Sequence, residues 1–327
     1  MIIIKSPSSD ASFNIASEEY LFNQKNDNIF LLYQNERAII VGRKQNTLAE
    51  INHEYTKANN IQVVRRMSGG GAVFHDINNL NFCFIIRDMK VCENSFEYYT
   101  KPIISTLKDI GIEAKLEGRN DLTIDSKKFS GNAKYFKEST LLQHGTLLFD
   151  SNINDISQAL NNDPSKFNDK AVKSIKSRVT NIKSHLNFPL TISEFENMIV
   201  NKVKELYSDA VYYEYNDHDY QEIEKLKVDK YSNWNWNFGK SPEYNYRKKI
   251  RCLGGTIEVV MSIKNGFIEE FKLYGDFFSK VDLDEFENSF VGINHSYEST
   301  KAHLEKYNME DLFVNVFEED FLNAMFF

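Results

Sequence analysis

Residues 65–76 read RRMSGGGAVFHD, so two arginines precede three consecutive glycines, and a histidine and an aspartate close the stretch. A phosphate-binding P-loop would require Gly-Lys-Ser or Gly-Lys-Thr opening a helix, and a dinucleotide-binding fold would require GxGxxG between a strand and a helix. Neither pattern is present. The flanking segments 61–66 and 80–87 are rich in β-branched and aromatic residues and predict strands. The glycine stretch is therefore expected to join two strands.

Residues 69–71, all glycine, carry no side chain that would hold a ligand away from the main chain, and they can adopt positive φ. Their backbone N–H groups suit contact with the chain or carboxylate of a ligand. A tight connection between strands with a glycine bulge is the other interpretation of the same pattern. Arg65 and Arg66 alternate across the strand, so only one is expected to face a ligand. We favour Arg66, which lies two residues before Ser68.

The composition restricts the class of protein. With 327 residues, 42% of them hydrophobic, the chain can bury a large core. A formal net charge of -8 argues against a protein that binds duplex nucleic acid, because neutralising phosphates requires a clustered basic surface. No apolar run approaches the length of a membrane span, and the N-terminal run is shorter than a signal-peptide core. We expect a cytoplasmic protein with neither nucleic-acid nor membrane partners.

The three cysteines, Cys83, Cys92 and Cys252, form no CxxC pair and are odd in number. This spacing suggests neither a disulfide framework nor a zinc site. We expect buried, reduced thiols, which pack as small hydrophobic side chains.

Residues 29–34 and 141–150 also predict strands, and residues 95–111 and 191–207 predict helices. Together the segments over residues 1–244 predict a large α+β or α/β domain with a mainly antiparallel sheet. Residues 12–24 predict a first helix whose early acidic residues place negative charge near its N-terminus. The pattern changes near residue 245. Beyond it, Asn265 and Gly266 lie between alternating segments and predict a hairpin with a type I′ turn, and three short helical patterns follow. We therefore predict domains at 1–244 and 245–327.

A second polar stretch, GRNDLTIDSKKFSGNAKY at 118–135, carries two adjacent lysines at the start of a predicted strand. Strict alternation places Lys128 on one face with Ser130, and Lys127 on the other face with Phe129. Spacing alone does not decide which face meets a ligand. Lysine is rarely buried, so both could also be solvated.

Two further features allow two interpretations each. His144 stands in an otherwise apolar predicted strand, either as a hydrogen-bonded core residue or as a ligand-binding residue. Residues 170–178 carry four cations in an acidic protein, and they form either a solvated helix face or a loop that faces phosphate.

Taken together, these stretches resemble the lipoate-protein ligases. Five segments carry the resemblance in the family's order and approximate spacing: RRMSGGGAVFHDINNLNFCFI, GRNDLTID, KKFSGNAKY, QHGTLLFD and KSIKSRVTNI. The region from WNWNFGKSP onward is similar to the smaller C-terminal domain of the bacterial two-domain ligases. The resemblance thus covers essentially the whole chain.

The resemblance implies a biotin/lipoate ligase catalytic domain, which is related to class II aminoacyl-tRNA synthetases, followed by a small α+β accessory domain. It also implies an activity. ATP with Mg²⁺ and (R)-lipoate would form lipoyl-adenylate and pyrophosphate. The lipoyl group would then pass to a lysine of a lipoyl domain in the E2 subunit of a 2-oxoacid dehydrogenase, or of glycine cleavage H protein. We expect a monomer.

The resemblance also assigns roles to residues. Lys128 matches the family's essential lysine, which decides between Lys127 and Lys128. The implied lipoate-binding residues are Arg66, Ser68, Gly69, Gly70, Gly71, His75 and His144. The implied ATP- and adenylate-binding residues are Gly71, Ala72, Asn79, Asn120, Asp121, Lys128, Lys173 and Arg178. Residues 166–182 would form a basic loop that closes over the adenylate, and Asp121 would bind Mg²⁺.

Three other classes of protein share parts of this pattern. Octanoyl or lipoyl transferases on the same fold use a cysteine nucleophile, but no cysteine falls in the 166–182 loop or beside KKFSGNAKY. Biotin ligases share the adenylation chemistry, yet their GRGRxGR-type loop is lacking here. A non-catalytic protein that binds an acyl group or a nucleotide is disfavoured because Lys128 and both loops are intact.

Overall fold

The structure is a computed structural model that describes residues 1–24, 26–45, 47–89, 95–160, 178–238, 246–264 and 266–326. Its strands are β1 (Ile2–Lys5), β2 (Ile29–Gln34), β3 (Ala38–Val41), β4 (Gln62–Arg65), β5 (Val73–His75), β6 (Asn79–Ile86), β7 (Ala114–Glu117), β8 (Asp121–Ile124), β9 (Lys127–Lys137), β10 (Thr140–Leu148), β11 (Val211–Tyr212), β12 (Tyr246–Cys252), β13 (Gly255–Lys264) and β14 (Phe267–Gly275). Its α-helices are α1 (Ala11–Gln24), α2 (Thr47–Glu50), α3 (His53–Ala58), α4 (Phe96–Asp109), α5 (Ile153–Ala159), α6 (Ile192–Leu206), α7 (Asp217–Leu226), α8 (Trp234–Asn237), α9 (Asp284–Asn288), α10 (Tyr297–Leu304), α11 (Met309–Leu312) and α12 (Glu318–Phe326).

An eight-stranded sheet organises the larger part of the chain, in the order β11-β1-β2-β6-β10-β9-β8-β7. The two pairings made by β1 are parallel, and the other pairings in this sheet are antiparallel. The predicted α+β class with a mainly antiparallel sheet is therefore confirmed.

Both faces of this sheet are covered, and β6 shows why. All eight of its residues are buried. Phe82 and Phe84 enter the core beneath α4 and α6, whereas Cys83 and Ile85 enter the core on the opposite face, beneath α1. A strand buried on both faces reads as a continuous apolar run rather than an alternating one, as the sequence here does.

A smaller three-stranded sheet, in the order β4-β3-β5, holds the glycine stretch. Strand β3 is parallel to β4 and antiparallel to β5. Strands β4 and β5 therefore run in opposite directions, and the chain must reverse between them. Residues 66–72 make that reversal. The prediction that the glycines join two strands is confirmed, although the strand that follows them directly is β5, which the sequence pattern did not reveal.

The C-terminal part is built on the antiparallel sheet β12-β13-β14, which α9 to α12 cover. Phe271, Phe290 and Phe321 lie in its own core. The predicted hairpin is present as β13 and β14, with Lys264 opposite Phe267. Its turn type stays a prediction, because residue 265 lies outside the described residues, as does the boundary predicted near residue 245.

The predicted helices form where their ends are capped. The side chain of Ser95 caps α4, and Thr191 and Glu194 form a capping box at the start of α6. The predicted acidic start of α1 is wrong, because its first turn holds no acidic residue. The carboxylate at that end belongs to Asp10, which precedes the helix and accepts a hydrogen bond from the Ser12 N–H. Each helix of the described residues is too short or too polar to span a lipid bilayer.

A buried carboxylate fastens the C-terminal part to the rest of the chain. Glu287, which is 1% exposed, accepts hydrogen bonds from Lys44 Nζ at 2.9 Å and from Lys272 Nζ at 2.7 Å. Lys44 comes from the segment after β3, whereas Lys272 lies in β14. Nearby, Arg43 forms an ion pair with Asp282 at 2.7 Å.

We predict that Glu287→Gln destabilises the protein by up to about 3 kcal/mol, because breaking a buried ion pair leaves uncompensated charge. Glu285, two residues earlier in α9, is exposed, so Glu285→Gln should change the unfolding free energy by less than about 0.5 kcal/mol. Urea unfolding of both variants measures the difference. Equal stabilities would show that Glu287 does not hold the two parts together.

Candidate active site

A cavity lies between the small sheet that contains β3 and β5 and the face of the large sheet formed by β9 and β10. The structure brings eight of the predicted site residues to its wall: Arg66, Gly70, Gly71, Ala72, His75, Asn120, Lys128 and His144. The predicted residues placed outside the wall are Ser68, Gly69, Asn79, Asp121 and Arg178. Lys173 lies outside the described residues.

The wall differs between its two ends. Ile15, Tyr33 and Ile40 line one end and belong to a single apolar cluster. At the other end the Lys128 side chain lies beside Gly131, whose N–H donates a hydrogen bond to Thr146 Oγ1. One end therefore suits a hydrocarbon chain and the other suits a charged group.

Lys128 reaches the cavity because β9 contains a bulge. On β8, Leu122 pairs with Ser130 and Thr123 pairs with Lys128, so Phe129 is an extra residue. Neighbouring residues of β8 point to opposite faces, and their partners do the same. The prediction that Lys128 and Ser130 share a face is therefore wrong, since simple alternation fails at a bulge.

The Lys128 side chain contacts Asp121 and Gly131, and its backbone pairs with the chain that follows residue 177. Its Nζ is 3.0 Å from the place that a Cβ on Gly131 would occupy, and 2.8 Å from Asp121 Oδ1. The Lys128 N–H donates to the Arg178 carbonyl at 2.8 Å. The end of the predicted basic loop thus lies against Lys128, while the side chain of Lys127 is exposed. The rest of that loop, residues 166–177, lies outside the described residues.

Arg66 holds the glycine stretch together from inside. Its guanidinium donates to Ile40 O at 3.0 Å, to Gly69 O at 2.6 Å and to Gly71 O at 2.9 Å. Its Nε donates to Ser68 Oγ at 2.9 Å. Burial lowers the pKa of Arg66 to about 10, so the side chain stays charged at neutral pH. Most of its donors are used by the protein itself.

Arg65 points away from the cavity, as its alternation with Arg66 predicts. It donates to the carbonyl oxygens of Gly42 at 3.0 Å and Gln45 at 2.7 Å, and to Thr47 Oγ1 at 2.6 Å. Arg65 therefore stabilises the connection after β3, and only Arg66 of the two lines the cavity.

Gly71 and Ala72 line the cavity, and their backbone N–H groups have no hydrogen-bond partner among the described residues. Open space surrounds Gly71, where an added Cβ would meet no atom within 4 Å. Gly70 adopts φ 89°, which favours glycine. Two adjacent free amides of this kind can bind an oxyanion.

His144 belongs to a buried hydrogen-bonded chain. Its Nδ1 is 2.8 Å from Glu18 Oε2, and its Nε2 is 2.6 Å from Ser68 Oγ. Tyr33 donates its hydroxyl proton to Glu18 Oε1 at 2.9 Å. His144 is therefore a hydrogen-bonded core residue that also lines the cavity, and its role in ligand binding stays a prediction.

Glu18 was not predicted as a site residue. A signal was present, because Glu18 follows Ile15 by three residues and precedes Phe22 by four, which puts a carboxylate on the apolar face of α1. A charged group on such a face needs a buried partner. The partner, His144, lies 126 residues away in the chain and only the fold identifies it.

His75 differs from His144. It is 3% exposed, and burial together with the charge of Arg66 lowers its pKa to about 3. Its Nδ1 is 2.9 Å from Asn35 Nδ2, whereas its Nε2 has no partner within the described ranges. His75 is therefore a neutral side chain with one nitrogen left for a ligand.

Asn79 lies behind the wall. It is fully buried and donates from Nδ2 to Asn81 Oδ1 at 2.8 Å, and Asn81 is the residue that lines the cavity. Direct contact of Asn79 with a nucleotide is not favoured by this position.

The described residues offer few side chains for metal binding or for thiol chemistry. The described part of the chain holds no group of three or more His, Cys, Asp or Glu side chains that would coordinate a metal. Cys83 is free and buried, as predicted, and burial raises the pKa of its thiol. Cys252 is free and half-buried, and Cys92 lies outside the described residues. Neither described cysteine lines the cavity.

Two family models match the chain. The lipoyl protein ligase A/B catalytic domain matches residues 10–204, and the bacterial lipoate protein ligase C-terminus matches residues 241–325. Lipoate-protein ligase 1 of Staphylococcus aureus is 38% identical over 97% of this chain and 97% of its own length. A Bacillus subtilis lipoate-protein ligase is also 38% identical, with 97% of both chains covered.

A solved structure shares the fold over nearly the whole chain. P. falciparum LipL1 in complex with lipoate superposes with a TM-score of 0.77 at 25% identity, covering 98% of this chain and 96% of that one. A bi-partite lipoate protein ligase with its E2 lipoyl domain from Thermoplasma acidophilum gives a TM-score of 0.63 at 26% identity, covering 75% of this chain and 98% of that one.

We predict that Gly69→Ala and Gly71→Ala differ in stability. A Cβ on Gly69 would lie 2.5 Å from the Phe277 carbonyl oxygen, so the glycine stretch and the C-terminal part must separate at a cost of about 1–3 kcal/mol. Gly71→Ala enters open space and should change the unfolding free energy by less than about 0.5 kcal/mol. Thermal unfolding of both variants tests this, and equal melting temperatures would contradict the contact.

Proposed function

Because the chain belongs to the lipoate-protein ligase family, we propose that it joins lipoate to ATP to form lipoyl-adenylate and pyrophosphate, and then transfers the lipoyl group to a lysine of a lipoyl domain. The observation that carries the proposal is the position of Lys128, a cation at the polar end of a cavity whose opposite end is apolar. Such a cavity fits an acid with a hydrocarbon tail.

The geometry separates the reacting end from the tail. On β9, Lys128 Nζ lies over Gly131, and Ala133 two residues further pairs with His144. Two strand residues span about 7 Å. A carboxylate near Lys128 would thus direct its chain toward His144 and the apolar cluster around Ile15.

Adenylation brings two anions together. A carboxylate oxygen forms a bond to the α-phosphorus of ATP, and the bond to the pyrophosphate oxygen breaks. Lys128 supplies positive charge where negative charge develops, and the free N–H groups of Gly71 and Ala72 supply donors that need no rearrangement. The cation of Arg66 holds those amides in place from behind.

In the transfer step, the amine of an acceptor lysine attacks the acyl carbon, and AMP leaves with the bonding electron pair. No covalent enzyme intermediate is required, so the enzyme needs no nucleophile of its own. The buried position of Cys83 agrees with this and disfavours the transferase alternative.

Asp121 is the residue that fits magnesium. Its side chain is 38% exposed beside Lys128, and Mg²⁺ is commonly held by one or two carboxylates together with substrate phosphates. When bound, the ion would neutralise phosphate charge during adenylation. Lys173, within the basic loop, and Arg178 are proposed to contact the adenylate.

The proposed acceptors are lipoyl domains of 2-oxoacid dehydrogenase E2 subunits or glycine cleavage H protein. The E2 lipoyl domain that accompanies the bi-partite T. acidophilum ligase supports this class of acceptor. A cytoplasmic monomer is the proposed state. A non-catalytic binding protein is the remaining alternative, and turnover separates the two.

We predict that Lys128→Met lowers the rate of lipoate-dependent pyrophosphate release by at least about 10²–10³-fold, because it removes a cation from the site where charge develops. The substitution keeps much of the side-chain length, so the loss reports charge more than packing. Lys127→Met is the matched control, since Lys127 is exposed. It should keep near wild-type turnover.

Three outcomes contradict parts of this assignment. Wild-type turnover by folded Lys128→Met would remove Lys128 from the mechanism. Equal loss in both variants would mean that the turn places both lysines at the phosphates. Absence of lipoate-dependent pyrophosphate release by the wild-type protein would overturn the ligase function.

A further inference from the structure

His75 carries a buried nitrogen that the protein leaves without a partner. Its Nε2 has no hydrogen-bond partner within the described ranges, although the residue is only 3% exposed and lines the cavity. An unsatisfied buried polar group is costly, so such a group at a cavity wall is available to a ligand.

A chain of hydrogen bonds determines which ring nitrogen of His75 carries the proton. The amide nitrogen of Asn14 donates to Ser8 O at 2.8 Å and to Gln34 O at 3.1 Å, which are acceptors only. The same nitrogen lies 2.8 Å from Asn35 Oδ1, so that atom accepts. Asn35 Nδ2 must then donate to His75 Nδ1 at 2.9 Å. The proton of the neutral ring is therefore on Nε2.

The position of His75 places this N–H toward the tail end of the cavity. His75 lies two strand residues, about 7 Å, beyond Val73 and farther still from the free amide of Gly71. Strand β5 runs from the glycine stretch alongside β3, where Val73 pairs with Ile40 of the apolar cluster. If the carboxylate binds at Gly71 and Lys128, His75 meets the far end of the acyl chain.

The ring nitrogens of His144 and the hydroxyl of Tyr33 already have partners in the protein. His144 uses both ring nitrogens, for Glu18 and for Ser68, and the Tyr33 hydroxyl donates to Glu18. A ligand tail made only of carbon and hydrogen would leave the His75 N–H unpaired. A tail that carries an acceptor atom would give this N–H a hydrogen-bond partner.

We propose that the Nε2–H of His75 selects an acid whose distal end carries a hydrogen-bond acceptor, the dithiolane sulfur of lipoate, over a hydrocarbon tail of the same shape. The inference rests on the proposed lipoate ligase function and assigns the specificity of the same site. A site rejects an analogue more strongly when that analogue leaves a buried polar group of the protein unpaired than when it only loses apolar contacts.

The test compares lipoate with cyclopentylpentanoate, in which a carbocycle replaces the dithiolane ring. For wild-type protein, kcat/KM of acid-dependent pyrophosphate release should be about tenfold higher with lipoate, the equivalent of one unsatisfied buried donor. In His75→Phe, which keeps a ring but removes the donor, the ratio should fall toward one. Calorimetric binding of both acids gives the same ratio if turnover is slow.

His144→Phe is the matched control. Because both nitrogens of His144 already have partners in the protein, its loss should weaken both acids in parallel and keep their ratio. A wild-type ratio near one, or an unchanged ratio in His75→Phe, overturns the inference while the ligase function stands. If lipoate itself supports no pyrophosphate release, the proposed function and the inference fall together.

Discussion

The buried guanidinium of Arg66 is the constraint on which the site depends. It binds the carbonyl oxygens of Gly69 and Gly71 and that of Ile40 in β3, so the glycine stretch is drawn onto the small sheet. A charge buried to this degree must be fully hydrogen-bonded, which leaves the stretch little freedom. The Gly71 carbonyl points toward Arg66, so the Ala72 N–H of the same trans peptide points away from the guanidinium.

The C-terminal part also packs against the same glycine stretch. The Gly70 N–H donates to the Phe277 carbonyl at 3.4 Å, and Gly69 leaves room only for hydrogen against that oxygen. The centroid of the Phe278 ring lies 4.4 Å from the Cζ atom of Arg119. Arg119 directly precedes Asn120, which lines the cavity. The two parts of the chain therefore share in shaping one site, through glycines that allow close backbone approach.

The two histidines of the cavity show how burial and hydrogen bonding divide roles between like residues. His144 is held at both nitrogens and connects α1 to the glycine stretch through Glu18 and Ser68. His75 is held at one nitrogen through Asn35, and it stays neutral because burial beside Arg66 disfavours its charged form. One imidazole supports the wall, and the other presents a donor.

Local pattern was enough to predict much of the framework. The strands β2, β6, β9 and β10 and the helices α4 and α6 were predicted because their apolar spacing and capping residues act within a few positions. The residue types of the site were also predicted, since Arg66, the glycines, Lys128 and His144 stand in recognisable stretches. Short elements such as β5 and α2 were missed, because three or four residues carry too little periodicity.

By itself, the sequence determined the kinds of element, the presence of a glycine stretch between two strands and the residues available for chemistry there. Only the tertiary structure decided their arrangement. Pairing of β9 with β8 produced the bulge that turns Lys128 away from the face of Ser130. Packing joined Glu18 to His144 across 126 residues and Asn35 to His75 across 40. These outcomes depend on register and burial between segments that are distant in the chain, and no local spacing encodes them.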